Sequence, residues 1–577
     1  MTRLLLIRIF ILLVLLLNVS AKAQQTVFEK SSGTESATYF EAVDYYKKLD
    51  KASPTLLLKT MGPSDAGYPL HLALLSADGK FDPVQWHRQN KIVVLAINGI
   101  HPGEPDGIDA SQLLARDITN GKITLPRNVC FAIIPVYNIG GCLNRGRPSR
   151  ANQNGPAAYG FRGNSQNLDL NRDFTKNDSR EAQSFAQIFH WLDPDIQIDN
   201  HVSDGADYQY TMTMLTTQPD KLGGELGYWL KNKFGPSLEA TMAAKNFEMT
   251  PYVNFEDADF KKGMDAFYDP PRFSSGYAAL FQTIAFIPET HMLKPFKDRV
   301  LSTYAFMQTV MEEAGKQSKE LIEKRKNTRS SVASATRFAL AWQKDTTQYN
   351  LINFKGYEPD SSISRATGLM RMFYNHNKPF NRLLAYYNTF NATQFVDAPK
   401  YYVIPQGWHA VTDLLKLNGA KLIPLKTDTV INVQSVKIKS YSVAAKAYEK
   451  HFRKNNVLFD TLQQNVKFLK GDFLIPVNQP ANRFIVEMLE PAGADSYFAW
   501  NFFDGVMQQK EGYSDYRWDD VAAGVLQADT LLQTLLNKKK KLDAAFAKNA
   551  SAQLDFIYKH SAYFEPGFMR LPVYWVR

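Results

Sequence analysis

Two spacings of apolar residues alternate along the first three hundred positions. Lys91-Ile-Val-Val-Leu-Ala-Ile97 carries six successive apolar residues, and Val129-Cys-Phe-Ala-Ile-Ile-Pro-Val136 is similar. Short runs of this kind, rich in β-branched residues, predict buried strands. Further strands are predicted at 195–202, in Asp195-Ile-Gln-Ile-Asp-Asn-His-Val202, and at 283–287, in Thr283-Ile-Ala-Phe-Ile287. Between them the apolar positions fall at helical spacing, through Ser111–Arg116 and over 179–192. A helix within 36–60 leads into the alternating His71-Leu-Ala-Leu-Leu-Ser76. Strands alternating with helices predict an α/β domain, with a mixed, largely parallel sheet flanked by helices. In such sheets working groups gather beyond the carboxyl ends of the strands.

A helical pattern over 297–326 runs into the polar stretch Lys324-Arg-Lys-Asn-Thr-Arg-Ser-Ser-Val-Ala-Ser-Ala-Thr336. The expected organisation is therefore a catalytic domain over 24–320 with a helical lead-in, a linker over 321–335 and an accessory region over 336–577. That last region opens with β-type alternation. It then offers strands at Tyr401-Tyr-Val-Ile and Phe473-Leu-Ile-Pro and a helix at His409–Leu417, a mixed α/β reading without a catalytic constellation.

Composition changes the picture at the start of the chain. Arg3 and Arg8 border a short apolar run that ends in Ala21-Lys-Ala23, the form of a secretory signal peptide. The run is shorter than the roughly 20 apolar residues a membrane span needs. Export to a periplasm or beyond the cell, with no membrane span after cleavage, is the expectation. Loss of residues 1–23 lowers the net charge from +10 to +7, a mild basic bias. The one long basic run, Lys538–Lys541, reads as a solvated helix end rather than a nucleic-acid site. Cys130 and Cys142 are the only cysteines, and pairing or two buried thiols are both open.

Candidate chemistry begins where the strand at 91–98 ends, in Asn98-Gly-Ile-His-Pro-Gly-Glu-Pro-Asp-Gly107. His101 and Glu104 on a stiff Pro/Gly loop are two ligand-type side chains, and a catalytic zinc needs a third protein ligand and an open position. His201 is the candidate, because it ends a strand much as His101 does. Other histidines are placed worse: His71 and His87 precede the sheet core, and His190 belongs to an amphipathic helix. His376, His409, His451 and His560 fall in the second region.

His-x-x-Glu, a distant His and the intervening Arg162-Gly-Asn-Ser-Gln-Asn-Leu-Asp-Leu-Asn-Arg172 together resemble the zinc carboxypeptidase family, the carboxypeptidase A-like metallopeptidases, over roughly residues 40–315. Asp173 stands where that family often has Asn. The resemblance implies one zinc per chain on His101, Glu104 and His201, with Glu289 after the strand at 283–287 as general base. It implies that Asn171 and Arg172 grip a substrate's terminal carboxylate and that Arg162 stabilises the oxyanion. The planar fork of Arg suits such carboxylates. Tyr268 matches the tyrosine that closes over the substrate better than Tyr277 does. Arg145, Arg147 and Arg150 read as solvated, or as lining the approach. His291 lies close to Glu289 but matches no ligand.

The implied function is an exported zinc metallocarboxypeptidase acting on peptides with a free C-terminal carboxylate. The rivals are a zinc amidohydrolase or deacylase, or a cell-wall peptide hydrolase, on the same scaffold. A binding protein with a vestigial site is a further rival of a different class.

Overall fold

The computed structural model describes residues 25–146, 149–255, 260 and 262–577, so the expected leader at 1–23 and Arg147 lie outside the described residues. The strands of the first half are β1 (Leu56–Pro63), β2 (Pro69–Ser76), β3 (Ile92–Ile97), β4 (Val129–Ile134), β5 (Ile196–Asp199), β6 (His201–Ser203), β7 (Met212–Thr216), β8 (Met249–Pro251), β9 (Met264–Asp265) and β10 (Ile284–His291). All but β9 join one nine-stranded sheet in the order β1-β2-β4-β3-β5-β10-β7-β8, with β6 beside β10. Its centre, β4-β3-β5-β10, is parallel; β1 and β2 run antiparallel to their neighbours, and β7 runs antiparallel to β10 and parallel to β8.

Every residue of β3 and β4 is buried, as strands covered on both faces require. Their side chains divide by the two-residue period. Val93, Leu95 and Ile97 enter one core with Phe185, Ile188 and Phe189 of the helix α3 (Arg180–Leu192). Ile92, Val94 and Ala96 enter the other, against α2 (Asp106–Thr119) and α4 (Phe296–Lys316). Local signals start the helices: Thr38 and Glu41 form a capping box for α1 (Tyr39–Ala52), and the Ser179 side chain caps α3.

The polar segment expected to be a linker at 321–335 falls largely inside a helix, α5 (Ser318–Ser334). Its anchor is charged rather than apolar. Buried Arg325 donates to Asp195 at 2.7 Å, to Asp193 at 2.9 Å and to the Gln282 carbonyl at 2.9 Å, which seats α5 under the sheet. A helix held this way lacks the apolar stripe from which a sequence pattern is read.

The second region is rich in strands. β11 (Arg337–Lys344) pairs with β14 (Phe390–Asp397), and β12 (Asn350–Ile363) with β13 (Met370–Tyr387), whose far end takes in β9. A six-stranded sheet follows from β15 (Tyr401–Ile404), β16 (Ile423–Pro424), β17 (Thr429–Val443), β18 (Lys454–Phe468), β19 (Phe473–Pro476) and β20 (Arg570–Val576), ordered β16-β19-β15-β20-β17-β18. Tyr402 of this sheet, with Val411 and Leu415 of the helix His409–Leu417 and Phe484 of the helix Asn482–Leu489, shares one core cluster with Phe189, Tyr277 and Phe281 of the first half. The Phe281 and Phe484 rings stack at 5.4 Å. No helix among the described residues is long and apolar enough to cross a membrane. Cys130 and Cys142 are free and buried.

Candidate metal centre and active site

The cleft opens beyond the carboxyl ends of the parallel strands. His101 and Glu104 follow β3, His201 opens β6, and Glu289 lies beside His201 in the β6–β10 register. The backbone at the loop is tightly packed: a Cβ on Gly103 would meet Arg150 Nε at 2.3 Å, and one on Gly107 would meet Asn98 Oδ1 at 2.5 Å. Glycine at 103 thus lets the Arg150 side chain lie across the loop and reach the Glu104 carboxylate.

His101, Glu104 and His201 are buried and converge, each offering an atom within 4.8 Å of the others. Nδ1 of His101 lies 3.2 Å from Glu104 Oε1, and Nδ1 of His201 lies 3.0 Å from Oε2. The far nitrogens are backed by carboxylates: Nε2 of His101 by Asp169 Oδ1 at 2.9 Å, and Nε2 of His201 by Asp199 Oδ2 at 3.0 Å. The carboxylate bonded to His101 fixes the tautomer that presents its Nδ1, as in metal sites, and Asp199 places negative charge behind His201. His101 Nδ1 is a buried nitrogen without a hydrogen-bond partner among the described residues. Two imidazoles and a carboxylate turned inward on one point fit a zinc ion.

Charge is concentrated here. Burial alone would raise the Glu104 carboxyl, but Arg150, His101 and His201 outweigh it and hold it well below the usual carboxylate range. Arg150 supplies the closest contact, at 2.5 Å. Burial pushes Glu289 up to about 8; His201 and Arg162 oppose the rise, while Glu104 and Asp199 add to it. An elevated carboxyl facing a cation site suits a group that must take up and release a proton.

The cleft, of about 210 Å³, is also lined by Arg162, Asn171, Arg172, Tyr252, Phe267, Asp269 and Phe273. Arg162 donates from Nε to Asp169 Oδ2 at 2.9 Å, with Nη1 3.7 Å from Glu104. Arg172 lies 4.1 Å over the Phe273 ring and donates to the Asn171 carbonyl at 2.7 Å, while Asn171 Oδ1 accepts the Ser274 N–H at 3.3 Å. These contacts hold both side chains at the wall.

Tyr268 stands apart from the residues that converge. Its ring packs 5.4 Å from Phe390 and under the Lys221 ammonium, outside the cleft lining, where Tyr252 is the tyrosine present. Tyr277 is buried in the core and bonds Asn418. His291 packs on Tyr208 at 4.6 Å and also lies outside the lining.

Four residues of the site have roles that sequence reading did not assign. Arg150 reads from the sequence as solvated or as lining the approach, with no partner named, and Asp169 lies unassigned inside the Asp-Leu-Asn-Arg segment. Asp199, two residues before His201, carried a signal in that spacing. Asp269 is buried in the cleft, bonded by Ser275 and pushed up to about 6 by burial.

The fold and site define an α/β scaffold with a candidate metal centre, and comparison with known proteins adds a family match. Residues 42–195 match the family model described as zinc carboxypeptidase. A protein called Carboxypeptidase 2 from Trichophyton equinum is 20% identical over 498 residues, covering 81% of this chain and 84% of that protein. Among solved structures, a metallo-carboxypeptidase from Burkholderia cenocepacia is 14% identical with a TM-score of 0.36, covering 48% of this chain and 69% of that one. A carboxypeptidase A from Helicoverpa armigera is 16% identical with a TM-score of 0.35, covering 50% and 75%. Residues 42–195 are thus similar to the zinc carboxypeptidase family, and the relative that resembles most of the chain carries the name of a carboxypeptidase.

Proposed function

We propose that the protein is an exported metallocarboxypeptidase that removes the C-terminal residue of peptides. The observation that carries the reading is the convergence of His101, Glu104 and His201 in one cleft with Glu289 and with Arg172. Zinc held by the two imidazoles and Glu104 would supply a Lewis acid that polarises the scissile carbonyl and acidifies water.

The remaining work falls to side chains of the chain. Glu289 accepts the proton of the attacking water and returns it to the leaving amine, the double duty expected of one general acid–base group. Arg162 donates to the oxygen on which negative charge develops. Arg172, aligned by Phe273, and Asn171 bind the substrate's terminal carboxylate and so set where along the peptide the cut falls. Cleavage next to the terminus follows from that anchor.

The test compares a peptide with the same peptide bearing a C-terminal amide. The acid should be cleaved and the amide spared, and Arg172→Ala should raise KM more than it lowers kcat, because the terminal contact is present before the transition state. Equal cleavage of acid and amide would overturn the exopeptidase reading in favour of a different amide hydrolase.

A further inference from the structure

The second region reaches the candidate centre through a tight turn between β17 and β18. At Tyr448-Glu449-Lys450-His451 the Tyr448 N–H donates to the His451 carbonyl at 2.9 Å, and the His451 N–H donates back at 3.1 Å. Both central residues are left-handed, with φ of 47° at Glu449 and 75° at Lys450. Two-residue hairpin turns of this kind favour Asn-Gly, since most side chains are crowded at positive φ. Glutamate and lysine are poor backbone choices here, so the side chains need a reason of their own.

Glu449 has one. Its Oε2 accepts the backbone N–H of Asp169 at 2.8 Å. The Asp169 carboxylate meets His101 Nε2 with one oxygen and the Arg162 Nε–H with the other, each at 2.9 Å. The turn is itself fastened to the first half: His451 Nε2 lies 2.7 Å from Asp178 Oδ2, which also accepts from buried Lys176 at 2.9 Å. Asp495 of the same region accepts both the backbone N–H and the guanidinium of Arg272, each at 2.9 Å, next to Phe273 of the cleft wall. Acids of the second region therefore hold two segments of the wall on which Arg162 and Arg172 stand.

We propose that Glu449 is a positioning residue of the active site: it fixes the backbone at Asp169, and through Asp169 it orients His101 and Arg162. The second region is then part of the catalytic apparatus rather than an appendage. The functional consequence rests on the reading of His101 as a metal ligand; the contact with Asp169 does not.

The experiment uses the full-length protein with Glu449→Ala and Glu449→Gln. Glutamine keeps an oxygen that can accept the Asp169 N–H, and alanine does not. In Glu449→Ala, amide hydrogen exchange at Asp169 should rise by up to about tenfold, the equilibrium worth of one hydrogen bond. Zinc affinity, read by competition with a chelator, should fall about tenfold, the lower end for groups behind a ligand. kcat should drop with KM little changed, and Glu449→Gln should restore all three.

Exchange at Asp169 within twofold of the unaltered protein would overturn the proposal. So would equal losses in the two variants, or a rise that extends equally to core amides such as Val94 and Leu95, which would mark general loosening. If the unaltered protein bound no zinc, the metal reading would fall, while exchange at Asp169 would still decide whether Glu449 holds that backbone.

Discussion

Glu289 is where a working peptidase and a protein that merely holds a metal part company. It lies beside His201 yet outside the three converging ligands, so Glu289→Gln should leave zinc binding intact while removing the proton acceptor. General acid–base groups contribute about 10² to 10⁴-fold, and a carboxylate serving both proton transfers should cost the upper end of that range. Single-turnover cleavage by the zinc-loaded variant checks this, and a rate within a few-fold of the unaltered protein would assign the base elsewhere. Candidate ligands were legible in the sequence because each stands at the end of an apolar run, a position the one-dimensional pattern marks. Arg150 and Asp169 were not, because their roles lie in partners 46 and 68 residues away. Tyr268 shows the same limit from the other side: counting back from Glu289 selects it, and its ring lies against Phe390 of the second region.

Among the elements, the strands at the sheet centre were readable because burial on both faces leaves them wholly apolar. The helix α5 was legible only as far as 326, because its polar second half is seated by ion pairs. That difference has a measurable counterpart. Removing one member of a buried ion pair leaves an uncompensated charge and costs about 3–5 kcal/mol. Arg325→Met leaves buried Asp195 without its cation, while Asp193 keeps Arg329, so denaturant unfolding should lose stability toward the lower end of that range. A loss under 1 kcal/mol would mean that α5 is held by its few apolar contacts, such as Leu321, rather than by Arg325. The long hairpin β12–β13 was anticipated only as alternation and β17–β18 not at all, since their faces are largely exposed and mixed in character, and a pattern without a buried side does not fix length or register.

At the scale of the molecule, the two halves meet where His190 of α3 lies 3.1 Å from the Tyr277 hydroxyl and against Gly419 of the second region. Burial pushes its pKa down to about 4, with Asp193 opposing. The unfolded chain protonates this histidine near its ordinary value of about 6.5. Stability from keeping it neutral is therefore complete above that pH and is lost as pH falls toward 4, by roughly 3 kcal/mol at most. Urea midpoints at pH 7 and pH 4.5 should converge more in His190→Gln than in the unaltered protein, and an unchanged difference would rule this histidine out. The place of β20 has a different kind of consequence. It lies between β15 and β17, in the middle of its sheet, and β17 carries the turn that bears Glu449. A ribosome delivers residues 570–576 after every other strand of that sheet, so a nascent chain owns the three candidate ligands, Glu289 and the Glu449 turn before that sheet can close. On the role proposed for Glu449, the candidate ligands are made first, and the turn that aligns them is carried by a strand whose central neighbour, β20, arrives only later.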